Sequence, residues 1–378
     1  MKDEREHLQL FDLIAREWTL PSPARRVIFN RASSAVAFDC ADGSIQLASL
    51  ADKASPNSRM RRAADTGRLT IAPRTKPFAP LRAAEFTEGR SSRIALHGDQ
   101  NFAFAKDDGR INTLTPGGTA VHLKAKAKDR ISAVAATPDG DMVAFACGAA
   151  IHIGPAKSEF EHTLHTPAPV TALAFSPDGR TLAATHAAGL SRWAVFDLNL
   201  PALETVLGAA PEDLVWRDDG AWILCCMGGQ GISVIDTRTN VAASYVDFPA
   251  PVNNASFSAT TDTVIASGAF RVAGWSLAET PLKDVMTGKA GLVLIDAVAA
   301  CPTRNLAAVG YANGLLSLAE IGRREEMLLR EDTGAGISAL AFSPDGNYLA
   351  VAGTDGSAAI VDFPTGMFKP ETQNRKPI

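Results

Sequence analysis

Hydrophobic residues in this 378-residue chain fall into short runs separated by turns rich in Gly, Pro, Asp and Asn. Two segments show the pattern best: VTALAFSPDGRTLAATHAAGLSRWAVFDL, from Val170, and ISALAFSPDGNYLAVAGTDGSAAIVDF, from Ile337. Short apolar runs bounded by such turns predict β-strands. We therefore expect an all-β protein with internal repeats.

The repeat has a regular spacing. Successive units can be aligned on the residue that precedes the first turn, and these markers are Ala136, Phe175, Trp216, Phe257, Ala300 and Phe342. The steps between them are 39, 41, 41, 43 and 42 residues. A period of about 40 residues is typical of the blades of a β-propeller.

Each unit contains the signals for four strands. The first turn is often of the Ser176-Pro177-Asp178-Gly179 kind, in which Pro presets φ and Gly accepts a positive φ. The second turn often carries Asp-Gly or Asn-Gly, a strong hairpin signal. A third run and a weaker, more polar fourth run follow, which predicts a four-stranded antiparallel blade.

Two further units begin at Arg25 and Arg93, so the repeats cover residues 25–364. We predict one β-propeller domain over residues 17–364, with eight blades favoured. Seven blades are the alternative, because the first strand near Ile94 fits the pattern only loosely.

The ends of the chain bear on how the ring closes. The last unit lacks an outer strand of its own, and Glu17–Leu20 stand where such a strand could complete it. Loss of that strand should open the ring. Residues 1–16 are predicted to form an amphipathic helix that packs on the propeller or docks a partner, with packing favoured. Residues 365–378 are predicted to be a polar tail.

The period, the SPDG turns and the aspartates that end third strands resemble the WD-repeat family over residues 17–364. Those aspartates are Asp197, Asp236 and Asp362, and His165 lies near the family's His position. The Trp that precedes the family's aspartate is replaced, so the family's buried hydrogen-bond network is expected to be degenerate. The resemblance implies a rigid, usually non-enzymatic platform whose loops bind proteins or peptides.

Composition and charge exclude some classes of protein. Hydrophobic residues make up 46% of the chain and charged residues 21%, with a net charge of −4, so no basic surface covers the whole protein. No run approaches the roughly 18 apolar residues of a membrane span. The five cysteines lack metal-ligand spacing and are expected to be buried and free. We expect a cytoplasmic protein without a membrane span.

The sequence lacks the motifs GxSxG, HExxH and GxxxxGK[ST]. His162 and His165 would point to opposite faces of a strand, so no metal site is predicted. We therefore predict no catalytic residue, metal or cofactor. Asp284–Lys289 resemble a DxxTGK phrase of quinoprotein dehydrogenases, so a quinoprotein-like or lactonase-like enzyme centred on the channel is an alternative.

An insertion at residues 51–91 interrupts the period. It carries nine basic and four acidic residues, which leaves −9 on the rest of the chain. Arg59, Arg61 and Arg62 are its candidate binding residues, for an acidic partner, RNA or an anionic surface. The competing interpretation is a solvated loop that balances an acidic body, so nucleic acid is a possible partner but not the favoured one.

The best candidates for protein contact lie in loops on the opposite face. These are Phe270 and Arg271 in one loop, Tyr311 in the next, and Arg130 elsewhere. Exposed aromatics beside Arg are the residue types that dominate protein interfaces. Phe270 and Tyr311 could equally pack between blades.

Overall fold

Eight four-stranded antiparallel sheets follow one another along the chain in the computed structural model. It describes residues 9–65, 67–85, 94–106, 108–126, 129–158, 160 and 162–368. Each blade packs against the next one along the chain, and the first blade contacts the last, so the sheets form a closed ring. The prediction of an eight-bladed propeller is confirmed.

The described chain begins with a short helix, α1 (Leu10–Ile14), followed by β1 (Ala15–Thr19). Blade 1 contains β2 (Ala24–Phe29), β3 (Ala35–Cys40) and β4 (Ile45–Ser49). The insertion then contains α2 (Pro56–Arg59), β5 (Met60–Arg62) and β6 (Leu69–Ile71), and β7 (Arg82–Ala83) is the outer strand of the blade. The outer strand therefore lies inside the range predicted as insertion, of which residues 66 and 86–91 are outside the described part.

Blades 2 to 4 each run from the innermost to the outermost strand in chain order. Blade 2 is β8 (Ala95–His97), β9 (Asn101–Ala105), β10 (Arg110–Leu114) and β11 (Ala120–Lys126). Blade 3 is β12 (Ala133–Ala136), β13 (Met142–Cys147), β14 (Ala150–Pro155) and β15 (His162–His165). Blade 4 is β16 (Val170–Phe175), β17 (Thr181–His186), β18 (Gly189–Ala194) and β19 (Leu203–Val206).

Blades 5 to 7 repeat the same order. Blade 5 is β20 (Asp213–Trp216), β21 (Trp222–Cys226), β22 (Ile232–Asp236) and β23 (Val241–Tyr245). Blade 6 is β24 (Ala255–Ser258), β25 (Thr263–Ala266), β26 (Ala273–Ser276) and β27 (Lys283–Asp284). Blade 7 is β28 (Ile295–Ala300), β29 (Leu306–Tyr311), β30 (Leu316–Glu320) and β31 (Glu326–Arg330).

Blade 8 joins the two ends of the described chain. It contains β32 (Ile337–Phe342), β33 (Tyr348–Gly353) and β34 (Ser357–Asp362), and β1 is its outer strand. Ala15 pairs with Val361 and Thr19 pairs with Ser357, so the N-terminal segment closes the ring as predicted. Of the predicted polar tail, residues 369–378 lie outside the described residues.

The closing strand starts two residues earlier than the sequence pattern indicated, and the predicted helix over residues 1–16 is correspondingly shorter. Residues 1–8 lie outside the described part of the chain, and α1 ends at Ile14. Ala15 and Arg16 instead pair with Val361 and Ile360 of blade 8, so extended backbone replaces another helical turn there. Phe11 and Ile14 pack in the core shared by blades 7 and 8.

The first turn of each blade has the predicted chemistry where the SPDG sequence occurs. In blade 4 the Ser176 hydroxyl donates to Asp178 Oδ1 (2.6 Å), which also accepts from the Arg180 backbone N–H (3.0 Å). Gly179 adopts φ +71°, a region that glycine enters without strain. These local bonds fix the turn and thereby the pairing of the two strands.

The hydrophobic core lies between neighbouring blades. Phe38 of blade 1 packs in one cluster with Ala350 and Ile360 of blade 8. Alternate residues of each strand face the blade on either side, so both faces of a sheet are apolar. Most exposed polar residues lie in turns, outer strands and the insertion, so a binding site for a partner is expected there.

Candidate functional site

Two large hydrophobic side chains are exposed where blades 6 and 7 meet. Phe270, between β25 and β26, is 42% exposed, and Leu292, between the two blades, is 97% exposed. The Gly291 N–H donates to the Phe270 carbonyl (3.0 Å), which holds the two loops together. We call Phe270, Arg271, Lys289 and Leu292 the rim patch.

The backbone beneath the rim patch is well fixed. The Ile295 N–H donates to the Ala269 carbonyl (2.9 Å), and the Gly268 N–H donates to the Ile295 carbonyl (2.9 Å). Gly268 has φ +86°, and a Cβ there would lie 2.8 Å from the Ala250 carbonyl oxygen, so this turn needs glycine. The side chains therefore project from a rigid support.

The charge of the rim patch is positive. Lys289 is exposed and Arg271 is half-buried. The backbone N–H of Lys289 donates to Glu326 Oε1 (2.6 Å), so the lysine position is fixed by blade 7. Apolar side chains beside cations suit a partner that offers apolar and acidic groups.

Tyr311 does not lie exposed in a loop. It ends β29, is 8% exposed, and belongs to the core cluster between blades 6 and 7. Its hydroxyl donates to Glu326 Oε2 (3.0 Å). Burial, with the neighbouring Glu326 carboxylate, raises the pKa of Tyr311. Packing between blades, the alternative that the sequence left open, is what the structure has.

The other predicted contact residues do not gather at the rim patch. Arg130 is exposed in the connection between blades 2 and 3, with blades 3 to 5 between it and Phe270. Arg61 and Arg62 are exposed on the β5–β6 hairpin of the insertion. These residues therefore lie at separate places on the propeller, and a binding role for each remains a prediction.

Arg59 corrects the prediction for the insertion. It is 8% exposed, and its guanidinium donates to the carbonyls of Leu13 (2.5 Å), Ala54 (2.9 Å) and Ala72 (2.5 Å). A guanidinium whose donors are directed to backbone oxygens is not presented to an external anion. Burial lowers the pKa of Arg59, as does nearby Arg74.

A polar chain that the sequence did not reveal crosses blade 4, from buried His186 and Ser191 to exposed Glu204. His186 Nε2 lies 2.7 Å from the Ser191 Oγ, and the Ser191 hydroxyl donates to Glu204 Oε2 (2.7 Å). His186 and Ser191 are fully buried. A serine near the start of the third strand is the sequence signal, and it recurs as Ser233 and Ser317.

The direction of these hydrogen bonds separates this chain from a nucleophilic triad. His186 Nδ1 accepts from the Ala188 N–H (3.2 Å), so Nε2 carries the imidazole proton and donates to Ser191. Burial lowers the pKa of His186, and nearby Glu204 opposes this effect only in part. The lowered pKa favours the neutral ring. A catalytic imidazole must accept the serine proton, whereas this one donates. The group ties the three outer strands together.

Blade 7 has the same kind of connection. Ser317 Oγ donates to Glu326 Oε2 (2.9 Å), which also accepts from Tyr311. His165, which the sequence placed near the family's His position, lies exposed on β15. Blades 4 and 7 thus both have a serine-to-glutamate hydrogen bond between the third and fourth strands, with His186 in blade 4 and Tyr311 in blade 7 as the third member.

The Asp284–Lys289 segment serves as a joint between blades. Thr287 is fully buried and its Oγ1 accepts from the Gly322 N–H (3.0 Å) of blade 7. Gly288 has φ +74° and its N–H donates to the Arg323 carbonyl (2.7 Å). The turn interpretation accounts for this motif without a cofactor.

The innermost strands of blades 1 to 5 border a cavity of about 160 Å³. Its polar lining residues are Arg26, Arg31, Thr171 and Asp213. Within the described ranges, no three His, Cys, Asp or Glu side chains are grouped as a metal site requires. A channel-centred enzyme remains an untested alternative.

No helix in the part of the chain described by the structure is both long enough and apolar enough to cross a bilayer. The five cysteines are free thiols, and four of them are buried. Burial raises the pKa of Cys40 to about 11, so this thiol is unreactive at neutral pH.

Family models match two segments of the chain. The Anaphase-promoting complex subunit 4 WD40 domain matches residues 298–377, and the WD domain, G-beta repeat, matches residues 158–189. No curated protein shows a significant match to the sequence.

Solved WD40 propellers resemble the structure. The crystal structure of the RRP9 WD40 repeats has 18% identity and a TM-score of 0.50, and covers 70% of this chain and 91% of that chain. The structure of U3-55K has 17% identity and a TM-score of 0.53, and covers 93% and 98%. At these identities the likeness shows the fold alone. The structure is therefore a β-propeller, and the two family-model matches and the period of about 40 residues show its resemblance to WD40-repeat proteins.

Proposed function

We propose that the protein is a non-catalytic interaction scaffold that binds a protein or peptide partner at the rim patch. The observation that carries this proposal is the joint exposure of Phe270 and Leu292 on hydrogen-bonded loops. WD40 propellers generally act as interaction platforms, as the resemblance implies. The free cysteines support a reducing compartment such as the cytoplasm.

The chemistry of the rim patch suggests what it binds. A leucine that is 97% exposed gains free energy only when a partner covers it. Aromatic and apolar anchors on a rigid backbone lose little conformational entropy on binding. Arg271 and Lys289 favour a partner with acidic residues beside its apolar anchor.

Substitution of the rim patch tests the proposal. The tagged full chain, the Phe270→Ala/Leu292→Ala double variant and a Val206→Ala control would be used for quantitative affinity capture from cells. Val206 is 84% exposed on the outer strand of blade 4, so it matches the exposure but not the position. We expect a stoichiometric partner whose recovery falls at least about tenfold with the double variant, as for interface anchors.

The control decides how the result is interpreted. Recovery with Val206→Ala should equal that of the unaltered protein. A partner that binds the double variant equally well would contradict the rim patch as the binding site. Arg130→Ala, tested in the same assay, shows whether the predicted contact between blades 2 and 3 belongs to the same interface.

Binding of an anionic polymer through the insertion is the second candidate function. It is favoured by the exposure of Arg61, Arg62 and Arg68 on one hairpin. Such binding would weaken steeply with salt, because counterions are released on association. The two functions are distinguishable because the rim patch and the hairpin share no residue.

A further inference from the structure

Neighbouring blades in this ring are joined in a recurring way. The connection between the third and fourth strands of one blade contacts the outer strand of the blade before it. In blade 5 this connection contains Asn240, whose Oδ1 accepts from Thr205 Oγ1 (2.5 Å) and Arg192 Nη2 (2.5 Å) of blade 4. Asn240 Nδ2 donates to the Glu204 carbonyl (2.9 Å).

The joint between blades 6 and 7 follows the same rule. There the connection after β30 donates from the Gly322 N–H to Thr287, just beyond the outer strand of blade 6. In both joints the outer strand is therefore held by its own sheet and by the following blade. Such support matters because an outer strand has only one neighbour in its sheet.

At the ring seam the outer strand is β1, and the following blade is blade 1. The connection between β4 and β7 of blade 1 is described for residues 50–65 and 67–81 and contains most of the basic insertion. The insertion thus occupies the position of a joint, but it is much longer than the turn around Asn240. It contacts two side chains of β1, those of Arg16 and Trp18.

Two side chains of β1 are covered by the insertion and the strand before it. Arg16 Nη1 donates to the Ser49 carbonyl (2.9 Å), and its Nε lies 4.0 Å from Asp52 Oδ2. Trp18 Nε1 donates to the Ala79 carbonyl (3.0 Å), and its ring meets the Phe78 ring edge-on at 5.1 Å between centroids.

Arg59 connects the insertion to the segment that precedes β1. One nitrogen of its guanidinium donates to Leu13, two residues before β1. The others donate to Ala54, which precedes α2, and to Ala72, which follows β6. Burial of this charge is tolerated because backbone carbonyls accept its hydrogen bonds. The residue predicted to contact a ligand is therefore a brace.

The insertion also contacts the C-terminal end of the ring. The Thr365 backbone N–H donates to Asn57 Oδ1 (2.7 Å). Thr365 follows β34, the strand that pairs with β1. A segment within the first blade therefore contacts β1 and the residues that follow β34.

We propose that residues 50–81 are a clasp that holds β1 in place and keeps the ring shut. A five-residue strand at the edge of a sheet would otherwise fray first, since it opens without disturbing the remaining blades. The clasp adds an ion pair, a buried guanidinium and an aromatic contact to the five residue pairs of the β1–β34 ladder. The insertion is thus part of the closure of the propeller.

Hydrogen exchange of the full-length protein tests the clasp. The variants are Arg59→Met, which keeps the length of the side chain but removes its donors, and Arg61→Met, an exposed neighbour in the same insertion. We expect the amides of β1 to exchange at least tenfold faster in Arg59→Met. Exchange in blades 3 to 5 should be unchanged, and Arg61→Met should behave like the unaltered protein.

A milder variant keeps the test decisive if Arg59→Met does not fold. Phe78→Ala removes the edge contact with Trp18 and leaves the buried guanidinium in place. Unchanged protection of β1 in a folded Arg59→Met or in Phe78→Ala would overturn the proposal. Equal acceleration in every blade would also overturn it, because it would mean that these residues support global stability alone.

Discussion

Asp362 and Asp236 end the third strands of their blades and look equivalent in the sequence, but their surroundings differ. Burial raises the pKa of Asp362 to about 6, against the opposing effect of Arg16. Asp236 is also partly desolvated, yet hydrogen bonds from the backbone and side chain of Arg238 lower its pKa. The charged and titratable groups that face Asp362 are Arg16, Asp52, Arg59, Arg74 and Tyr348.

These directions predict opposite effects of two Asp→Asn changes. The folded protein keeps a proton on Asp362 up to about pH 6, whereas the ordinary value is 3.8. Stability therefore falls as the pH rises through this window, because the native state binds the extra proton. We expect Asp362→Asn to raise the free energy of unfolding at pH 7.5, by at most about 3 kcal/mol. The gain should vanish near pH 4.

Asp236→Asn is the matched control, measured by urea unfolding at the same pH values. Because the pKa of Asp236 is lowered, its carboxylate stabilises the native state above the unfolded pKa and loses that effect in acid. This variant should be less stable than the unaltered protein at pH 7.5. A loss of stability for Asp362→Asn at neutral pH would contradict the burial argument.

At the scale of single elements, glycines in the second turns decide how tightly hairpins close. Gly231, between β21 and β22, has φ +79°, and a Cβ there would collide with the Tyr245 carbonyl oxygen of the outer strand. Gly148, in the corresponding turn of blade 3, has φ +59° and no atom within 4 Å of its Cβ position. The two positions share the backbone strain but not the collision.

We expect Gly148→Ala to cost about 1 kcal/mol, the usual penalty for a side chain at positive φ. Gly231→Ala should cost at least about 1 kcal/mol more, because the outer strand must move away. Denaturant unfolding of both variants measures the difference. Equal losses of stability would show that β23 moves away from the added side chain at no further cost.

The insertion is an element whose charges serve two purposes. Arg59 and Arg74 point inward, and Arg74 forms an ion pair with Asp52. Lys53, Arg61, Arg62 and Arg68 remain exposed. Composition counts all of these as equal positive charges, so it overstates the number available to an external anion.

At the scale of the whole molecule, stability depends on the seam. The β1–β34 ladder joins residues more than 330 positions apart, and the clasp covers it. A chain shortened to begin at Pro21 would expose the unpaired edge of β34. Exposed edges of apolar strands pair with other chains.

We therefore expect the shortened chain to self-associate and to melt at a lower temperature than the full chain. Light scattering coupled to size exclusion, with a thermal melt of the same samples, measures both effects. The Arg61→Met variant at full length serves as the folded control. A monodisperse monomer with an unchanged melting temperature would contradict the importance of β1.

The sequence by itself determined the architecture. The turns repeat at a spacing of about 40 residues, and each SPDG or Asp-Gly turn has a local physical cause, so the sequence predicted the propeller and favoured eight blades. Seven blades stayed the alternative until the structure showed that the weak first strand near Ile94 forms. The missing outer strand of the last unit also pointed to the N-terminal segment as its replacement. These features depend on residues that are close in sequence.

Only the tertiary structure decided which side chains are available for binding. The sequence predicted that Phe270 and Tyr311 both lie in loops. Phe270 is exposed, whereas Tyr311 is buried and its hydroxyl donates to Glu326. Arg59 and Arg61 are two residues apart, yet one is buried against Leu13 and the other faces solvent. In each case burial depends on what a distant blade or strand packs against that position, and the repeat pattern carries no information about that partner.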